Sequence, residues 1–323
     1  MDRNDALLAD WRQRALALEA EVGRAVIGQA RILRLVNTAV FARGHVLLQG
    51  DVGVGKTTLL RAFAQVLGGA FARTEGTVDL MPNDLVYYTY ISEQGRPAVE
   101  PGPLIRHGED LAIFFFNEIN RARPQVHALL LRVMAERSVS AFNREFHFPH
   151  LLVFADRNRV EREETFEISS AARDRFMMEI TIEPPADDAM RRALMFDPRF
   201  HDTDRLVGAL QPAMVPHREL NGVAELIQRS VQASDALQDY ALRLWRATAE
   251  PASFGVTLPD LDTAQLMLAG ASPRGMSLLL RAARVAAWLE GRSYVTPEDV
   301  QAGFVETLAP PPRYQPVFRL PPP

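Results

Sequence analysis

The spacing of hydrophobic positions along the chain changes character twice. From residue 5 to about 24, Leu7, Leu8, Trp11, Ala15, Leu18 and Val22 recur at helical spacing. Ile32, Leu35, Val36, Ala39 and Val40 repeat that pattern and predict a second helix. Short apolar runs then take over: His45–Gln49, Ala70–Thr74, Leu111–Phe116, Leu151–Ala155 and Met178–Ile182. A run without polar alternation, clearest at Leu111–Phe116, predicts a strand covered on both faces, as in a parallel sheet. Helical segments separate the runs at Thr58–Leu67 and Pro124–Glu136, the second with proline in its first turn. Strands alternating with helices predict an α/β domain with a mainly parallel sheet.

Two stretches alternate apolar and polar residues and predict hairpins. One runs from Tyr87 to Val99 around Gln94-Gly95, the other from Ser138 to Phe148 around Asn143-Arg144. Their aromatic side chains fit a contact surface or ordinary hairpin packing equally well. Beyond Pro184-Pro185 the strand signals stop. Helical periodicity then holds from Ala186 to about Val305, with breaks near 212–216, 251–259 and Gly291. The pattern divides the chain into an N-terminal helix (1–24), an α/β domain (25–184), a smaller all-helical domain (185–308) and a tail (309–323). Seven of the last fourteen residues are proline, so the tail reads as extended: a strap, a free end or a partner-binding segment.

Composition narrows the field. A mass of 36.1 kDa allows two domains and a sizeable core. There is no cysteine, which excludes disulfides, thiolate metal sites and cysteine nucleophiles. No apolar run approaches the ~20 residues of a membrane span. The N-terminus lacks the apolar core of a signal peptide, and a cytoplasmic location is expected. A net charge of -4 and a pI near 6.0 argue against nonspecific nucleic-acid binding, and hence against a DNA-acting helicase or clamp loader.

Of 36 basic side chains other than histidine, one is lysine. It is Lys56, in the segment Gly50-Asp51-Val52-Gly53-Val54-Gly55-Lys56-Thr57, which fits G-x-x-x-x-G-K-[ST] at every fixed position. A strand before the loop and a helix after it, entered through Thr57 and Thr58, would turn backbone N–H groups and the helix dipole toward a phosphate. The lysine ammonium, a compact charge on a flexible stem, suits the outer phosphates of a nucleotide. Thr57 offers a hydroxyl to Mg²⁺. The buried strand ends at Phe116-Asn117-Glu118, where a carboxylate emerges at the loop's edge of the sheet. Glu118 is thus the candidate for polarising an attacking water. Asn158 follows the next strand and reads as a water- or phosphate-holding amide, or as a loop cap. Arg175 and Arg274, taken singly, read as surface ion-pair residues.

Taken in order, these residues resemble the MoxR family of AAA+ ATPases from about residue 20 to 308. Asn117-Glu-Ile-Asn-Arg-Ala122 is similar to the family's Asp-Glu-Ile-Asn-Arg-Ala. Val26-Ile27-Gly28-Gln29 resembles its segment against the adenine. Thr77–Pro82 and Pro101-Gly-Pro103 resemble further blocks. Gly270-Ala-Ser-Pro-Arg274 with Tyr294–Val300 resembles its lid. The resemblance implies a P-loop AAA+ core with an all-α lid, binding ATP and Mg²⁺. It implies Asn158 as sensor 1, Arg175 as the arginine finger and Arg274 as sensor 2. It further implies a homo-oligomeric ring, usually a hexamer, with both hairpins facing the pore. The implied partners are a protein with a von Willebrand A domain and a client protein, as in metalloenzyme maturation. Two positions depart from the family. Asn117 stands where it has aspartate, with weaker Mg²⁺ binding and slow intrinsic hydrolysis expected. Arg159 stands where it has proline. The expected function is an ATP-driven remodelling or activating chaperone. The alternative is an ATP-binding scaffold subunit with little or no hydrolysis.

Overall fold

The computed structural model describes residues 3–158, 166–256 and 267–308 and the pair Arg313–Tyr314. Two helices come first, α1 (Arg3–Gly23) and α2 (Ala30–Phe41). The predicted apolar stripe of α1 is its buried face: Leu8, Trp11, Ala15, Leu18 and Val22. Five parallel strands follow: β1 (His45–Gln49), β2 (Ala70–Glu75), β5 (Leu111–Asn117), β8 (Leu152–Arg157) and β9 (Phe176–Thr181). They form one sheet in the order β2-β5-β8-β1-β9. Between them lie α3 (Lys56–Leu67), α4 (Pro124–Glu136) and the short α5 (Ser170–Arg173).

The unbroken apolar runs have a simple cause in this arrangement. Alternate residues of each strand enter different cores. Val46, Leu48, Ile113, Phe115, Leu152 and Phe154 pack with α1, α2 and α3. Leu47, Phe114, Phe116, Val153 and Ala155 pack with α4 on the opposite face. Every residue of β5 is buried as a result.

Beyond the sheet come α6 (Asp188–Phe196), α7 (Thr203–Gly208), α8 (Leu220–Ser230), α9 (Asp235–Ala249), α10 (Pro273–Leu289), α11 (Pro297–Ala302) and α12 (Phe304–Leu308). Helix α10 closes on the first two helices. Phe41 stacks between Trp11 and Trp288 at centroid distances of 6.4 and 5.3 Å, and Trp288 Nε1 donates to Leu8 O at 3.1 Å.

Three local expectations are corrected. Strand signals do not stop at Pro184-Pro185, because β10 (Met267–Ala269) pairs antiparallel with β11 (Arg313–Tyr314). That pair joins segments more than forty residues apart in the chain, so no local pattern announces it. The rest of the proline-rich tail lies outside the described residues. The second hairpin, β6 (Ser138–Ala141) and β7 (Arg144–His147), turns at Phe142-Asn143, both at positive φ, one residue earlier than expected. Strand β8 continues two residues past the predicted run Leu151–Ala155, through Asp156 and Arg157. The first hairpin, β3 (Tyr87–Ile91) and β4 (Pro97–Pro101), has its expected Gly95 bend.

Candidate functional site

The phosphate loop leaves β1 at Gly50 and enters α3 at Lys56. Gly53 and Gly55 have φ of 82° and 88°, a left-handed backbone that glycine adopts without penalty. The first-turn N–H groups of Lys56, Thr57 and Thr58 have no intrahelical acceptor, and among the described residues no side chain caps them. Val52 is exposed at the loop tip, and the half-buried Val54 packs on the core.

Lys56 is 7% exposed. Its Nζ donates to Gly50 O at 2.9 Å, Asp51 O at 3.0 Å and Asn158 Oδ1 at 2.9 Å. Asn158 Nδ2 donates onward to Glu118 Oε1 at 3.2 Å. An amide between an ammonium and a carboxylate must turn its oxygen to the first and its nitrogen to the second, which fixes its orientation. Three of the predicted site residues thus form one continuous chain. The other Glu118 oxygen accepts from Arg121 Nη1 at 3.1 Å.

Glu118 has φ of 52°, left-handed for a residue with a side chain. Its neighbours hold it there. Glu118 N–H donates to Asp156 Oδ1 at 2.6 Å. Gly76 N–H donates to Asn117 O at 2.7 Å, and a Cβ on Gly76 would lie 2.2 Å from Glu118 O. Asn117, 8% exposed, closes β5 beside these groups. Asp156 is 2% exposed, with Oδ2 4.0 Å from Lys56 Nζ. Burial pushes its carboxyl up to about 6, and the Glu118 charge adds to that. The Glu118 N–H bond and the Lys56 charge pull it down. The sequence patterns do not single out Asp156.

On the other face of the sheet, Glu179 is buried between two guanidinium groups. It accepts from Arg157, and from Arg173 Nε at 3.0 Å. Arg157 also donates to Gln49 Oε1 at 2.8 Å. Two predicted arginines stand apart from the lysine chain. Arg175 is half-buried and donates to Ala171 O at 2.9 Å, and among the described residues its buried Nε has no partner. Arg274, in the first turn of α10, pairs with Asp174 at 2.8 Å, and Ser272 at that helix's N-cap also donates to Asp174. Gly28 and Gln29, which follow Val26 and Ile27, lie past the C-terminal end of β9, where Gln29 Nε2 donates to Glu183 O at 2.7 Å and Gly28 approaches Pro185. Gly28, Gln29, Gln49, Thr181 and Pro185 line a cavity of about 430 Å³ there.

A left-handed glycine loop, an uncapped helix start, a lysine and a threonine hydroxyl fit the donor set that a Mg²⁺ nucleotide requires. With a parallel sheet behind them and a carboxylate on the adjacent strand, they define a P-loop ATPase.

Comparison with known proteins gives the particular branch. Residues 45–178 match the family described as ATPase family associated with various cellular activities (AAA), and residues 261–318 match the AAA lid domain. Protein MoxR of Methylorubrum extorquens is 58% identical, over 98% of this chain and 92% of its own length. Protein MoxR of Paracoccus denitrificans is 56% identical, over 94% and 90%. Chaperone MoxR1 of Mycobacterium tuberculosis is 33% identical, over 87% and 70%. A crystal structure of a protein from Cytophaga hutchinsonii superposes with a TM-score of 0.82 at 27% identity, covering 96% of this chain and 90% of that one. The chain belongs to the MoxR family of AAA+ ATPases. Among the described residues, no helix is long and apolar enough to cross a membrane.

Proposed function

We propose that this protein hydrolyses ATP as a homo-oligomeric ring and uses the cycle to remodel or activate a client protein. The observation that carries the reading is the hydrogen-bonded chain Lys56–Asn158–Glu118. It joins a phosphate-facing ammonium to a carboxylate able to polarise water, through an amide that senses both. Bound ATP and Mg²⁺ supply the transferable phosphoryl group and neutralise its charge. The first-turn N–H groups of α3 and Lys56 cradle the phosphates. Thr57 offers its hydroxyl to the metal, and Asn117 an amide oxygen. Val26–Gly28 borders the adenine. Glu118, steadied by Arg121 and Asn158, orients the attacking water.

In this reading Arg175 serves a neighbouring subunit's nucleotide. Among the described residues its buried Nε has no partner and its guanidinium no ion pair, which supports that. Arg274 answers the nucleotide from the lid by exchanging its Asp174 partner. The two hairpins share one ring contact, Tyr87 to Phe142 at 5.2 Å, and expose Tyr88, Tyr90, Ile91 and Phe142. That apolar rim is suited to gripping a polypeptide at the pore. A hexamer, a cytoplasmic setting and a von Willebrand A domain partner complete the picture by family resemblance.

Steady-state ATP turnover with Mg²⁺ across protein concentrations tests the proposal. Turnover should rise cooperatively with concentration, and Lys56→Ala and Glu118→Gln should lower it at least about 100-fold. A second reading rests on Asn117, which removes a charge where the metal is held: an ATP-binding scaffold subunit. ATP binding with turnover no higher than in the two variants would establish that reading instead.

A further inference from the structure

Asn117 leaves the metal side of the phosphate site one carboxylate short, and the fold places a carboxylate next to it. The β5–β8 ladder pairs Phe115 with Phe154 and Phe116 with Ala155. The next step sets Asn117 beside Asp156, each the neighbour of the last aligned pair. Alternation fixes the face. Phe116 and Ala155 enter the α4 core, whereas Phe115 and Phe154 enter the α3 core. Asn117 and Asp156 therefore stand on the α3 side, the side from which Lys56 and Thr57 reach the loop.

The state of Asp156 is unusual for a structural carboxylate. Burying such a group costs several kcal/mol unless it is fully paired. Among the described residues its hydrogen bond is the one from Glu118 N–H to Oδ1. Lys56 Nζ lies 4.0 Å from Oδ2, beyond hydrogen-bonding reach, and is engaged by three other oxygens. One oxygen thus anchors the backbone of the candidate base, and the other faces the ammonium of the phosphate site.

We propose that Asp156 provides the carboxylate charge at the metal side of this site, in place of the aspartate that Asn117 replaces. The acidic group has moved one strand across the sheet while staying on the same face at the same level. Mg²⁺ dehydrates reluctantly and is commonly held by carboxylates through its own waters, so a displaced carboxylate can still hold it. The proposal rests on the nucleotide-hydrolase reading. It revises what Asn117 implies: the site keeps its charge, and slow hydrolysis no longer follows from that asparagine.

The test reads metal affinity rather than turnover. Mn²⁺ binding to the full-length protein with a non-hydrolysable ATP analogue is titrated by the loss of the free-ion electron paramagnetic resonance signal. Asp156→Asn keeps an oxygen for Glu118 N–H and removes the charge. It should weaken Mn²⁺ binding about 10- to 100-fold. Nucleotide affinity in EDTA should stay within about threefold of the unmodified protein. The double variant Asn117→Asp with Asp156→Asn moves the charge back to β5 and should recover most of the lost affinity. Unchanged Mn²⁺ affinity in Asp156→Asn would overturn the proposal while leaving the nucleotide reading intact. A double variant as weak as Asp156→Asn would also overturn it, reducing Asp156 to a brace for Glu118. An unmodified protein that binds no nucleotide would remove the underlying reading and this proposal together.

Discussion

The two ends of the central sheet both bury charge, and they do so in opposite ways. At the phosphate end, Lys56, Glu118, Asp156 and Arg121 mix signs and are linked through Asn158 and their own side chains, while Lys56 also donates to the Gly50 and Asp51 carbonyls. At the other end, three guanidinium groups and a histidine gather. Arg43 donates to His150 O and Asn221 Oδ1, Arg137 to Pro149 O, and Arg281 to Ala42 O. Carbonyl and amide oxygens carry these like charges. Burial, then the charges of Arg137 and Arg281, push Arg43 down to about 9. The helix C-termini at Phe41 and Glu136 favour cations there. A charge tied to backbone oxygens can brace a fold. A charge tied to other side chains can change partners when a ligand arrives. On the proposed function, the charges able to exchange partners lie at one end of the sheet and the bracing charges at the other.

The contrast predicts that damage should separate cleanly by end. The largest effect is expected from Gly76→Ala, which touches no nucleotide. Its Cβ would strike Glu118 O and displace the left-handed backbone that aims the carboxylate. ATP turnover should fall about 100-fold, the scale of a catalytic group moved by ~1 Å, while the oligomeric state is unchanged. Turnover within threefold of the unmodified protein would show that the aim of Glu118 is not fixed by this contact.

At the opposite end, Arg43→Ala should cost about 2–3 kcal/mol of stability by leaving buried acceptors unpaired, with nucleotide affinity unaltered. Arg43 has φ of 55° just past α2, a place where glycine is usual. The following Gly44 cannot easily vary, because a Cβ there would lie 2.3 Å from Met177 Sδ. Chemical denaturation read beside nucleotide titration separates the two effects, and a weakened nucleotide site would break the division between the ends.

His45 adds a pH dependence of about 2 kcal/mol at pH 5. Burial, with Arg137 next, pushes its imidazole from 6.5 down to about 3. Its Nδ1 accepts from Val153 N–H at 2.9 Å, which fixes the proton of the neutral ring on Nε2, 3.4 Å from Met134 O. The folded state resists protonation while the unfolded state takes a proton near 6.5. This stabilisation is complete above about pH 6.5 and is lost progressively as pH falls toward 3. Thermal melts at pH 7.5, 6 and 5 should show the decline, and His45→Asn should flatten it. An unchanged slope in the variant would place the acid sensitivity elsewhere.

Much of this was legible in the sequence, and the limits have a physical cause. The apolar runs of β5 and β8 announced a doubly covered parallel sheet, because that burial demands them. The phosphate loop, Glu118 and Asn158 were legible as ordered motifs. Asp156 was not, because a carboxylate one residue beyond an apolar run looks like the start of a loop. Its burial follows from the register of β5 against β8, a pairing between distant segments. The Arg43 cluster was hidden for the same reason: its members come from residues 43, 137 and 281, and only the closed fold brings them together.

The smallest expected effect on stability belongs to Arg274, and it sharpens the comparison most. Its pair with Asp174 leaves the arginine side chain 53% exposed, so Arg274→Ala should cost less than about 0.5 kcal/mol of stability. If Arg274 exchanges Asp174 for a nucleotide phosphate, the same substitution should lower turnover about tenfold with Tm nearly unmoved. Asp174→Asn then gives the opposite sign: it frees the guanidinium without removing it, and ATP affinity should rise. A surface ion pair with no further role predicts that both variants leave turnover and affinity untouched. The pair of measurements therefore decides whether this lid contact belongs with the exchanging charges of the phosphate end or with the bracing charges opposite.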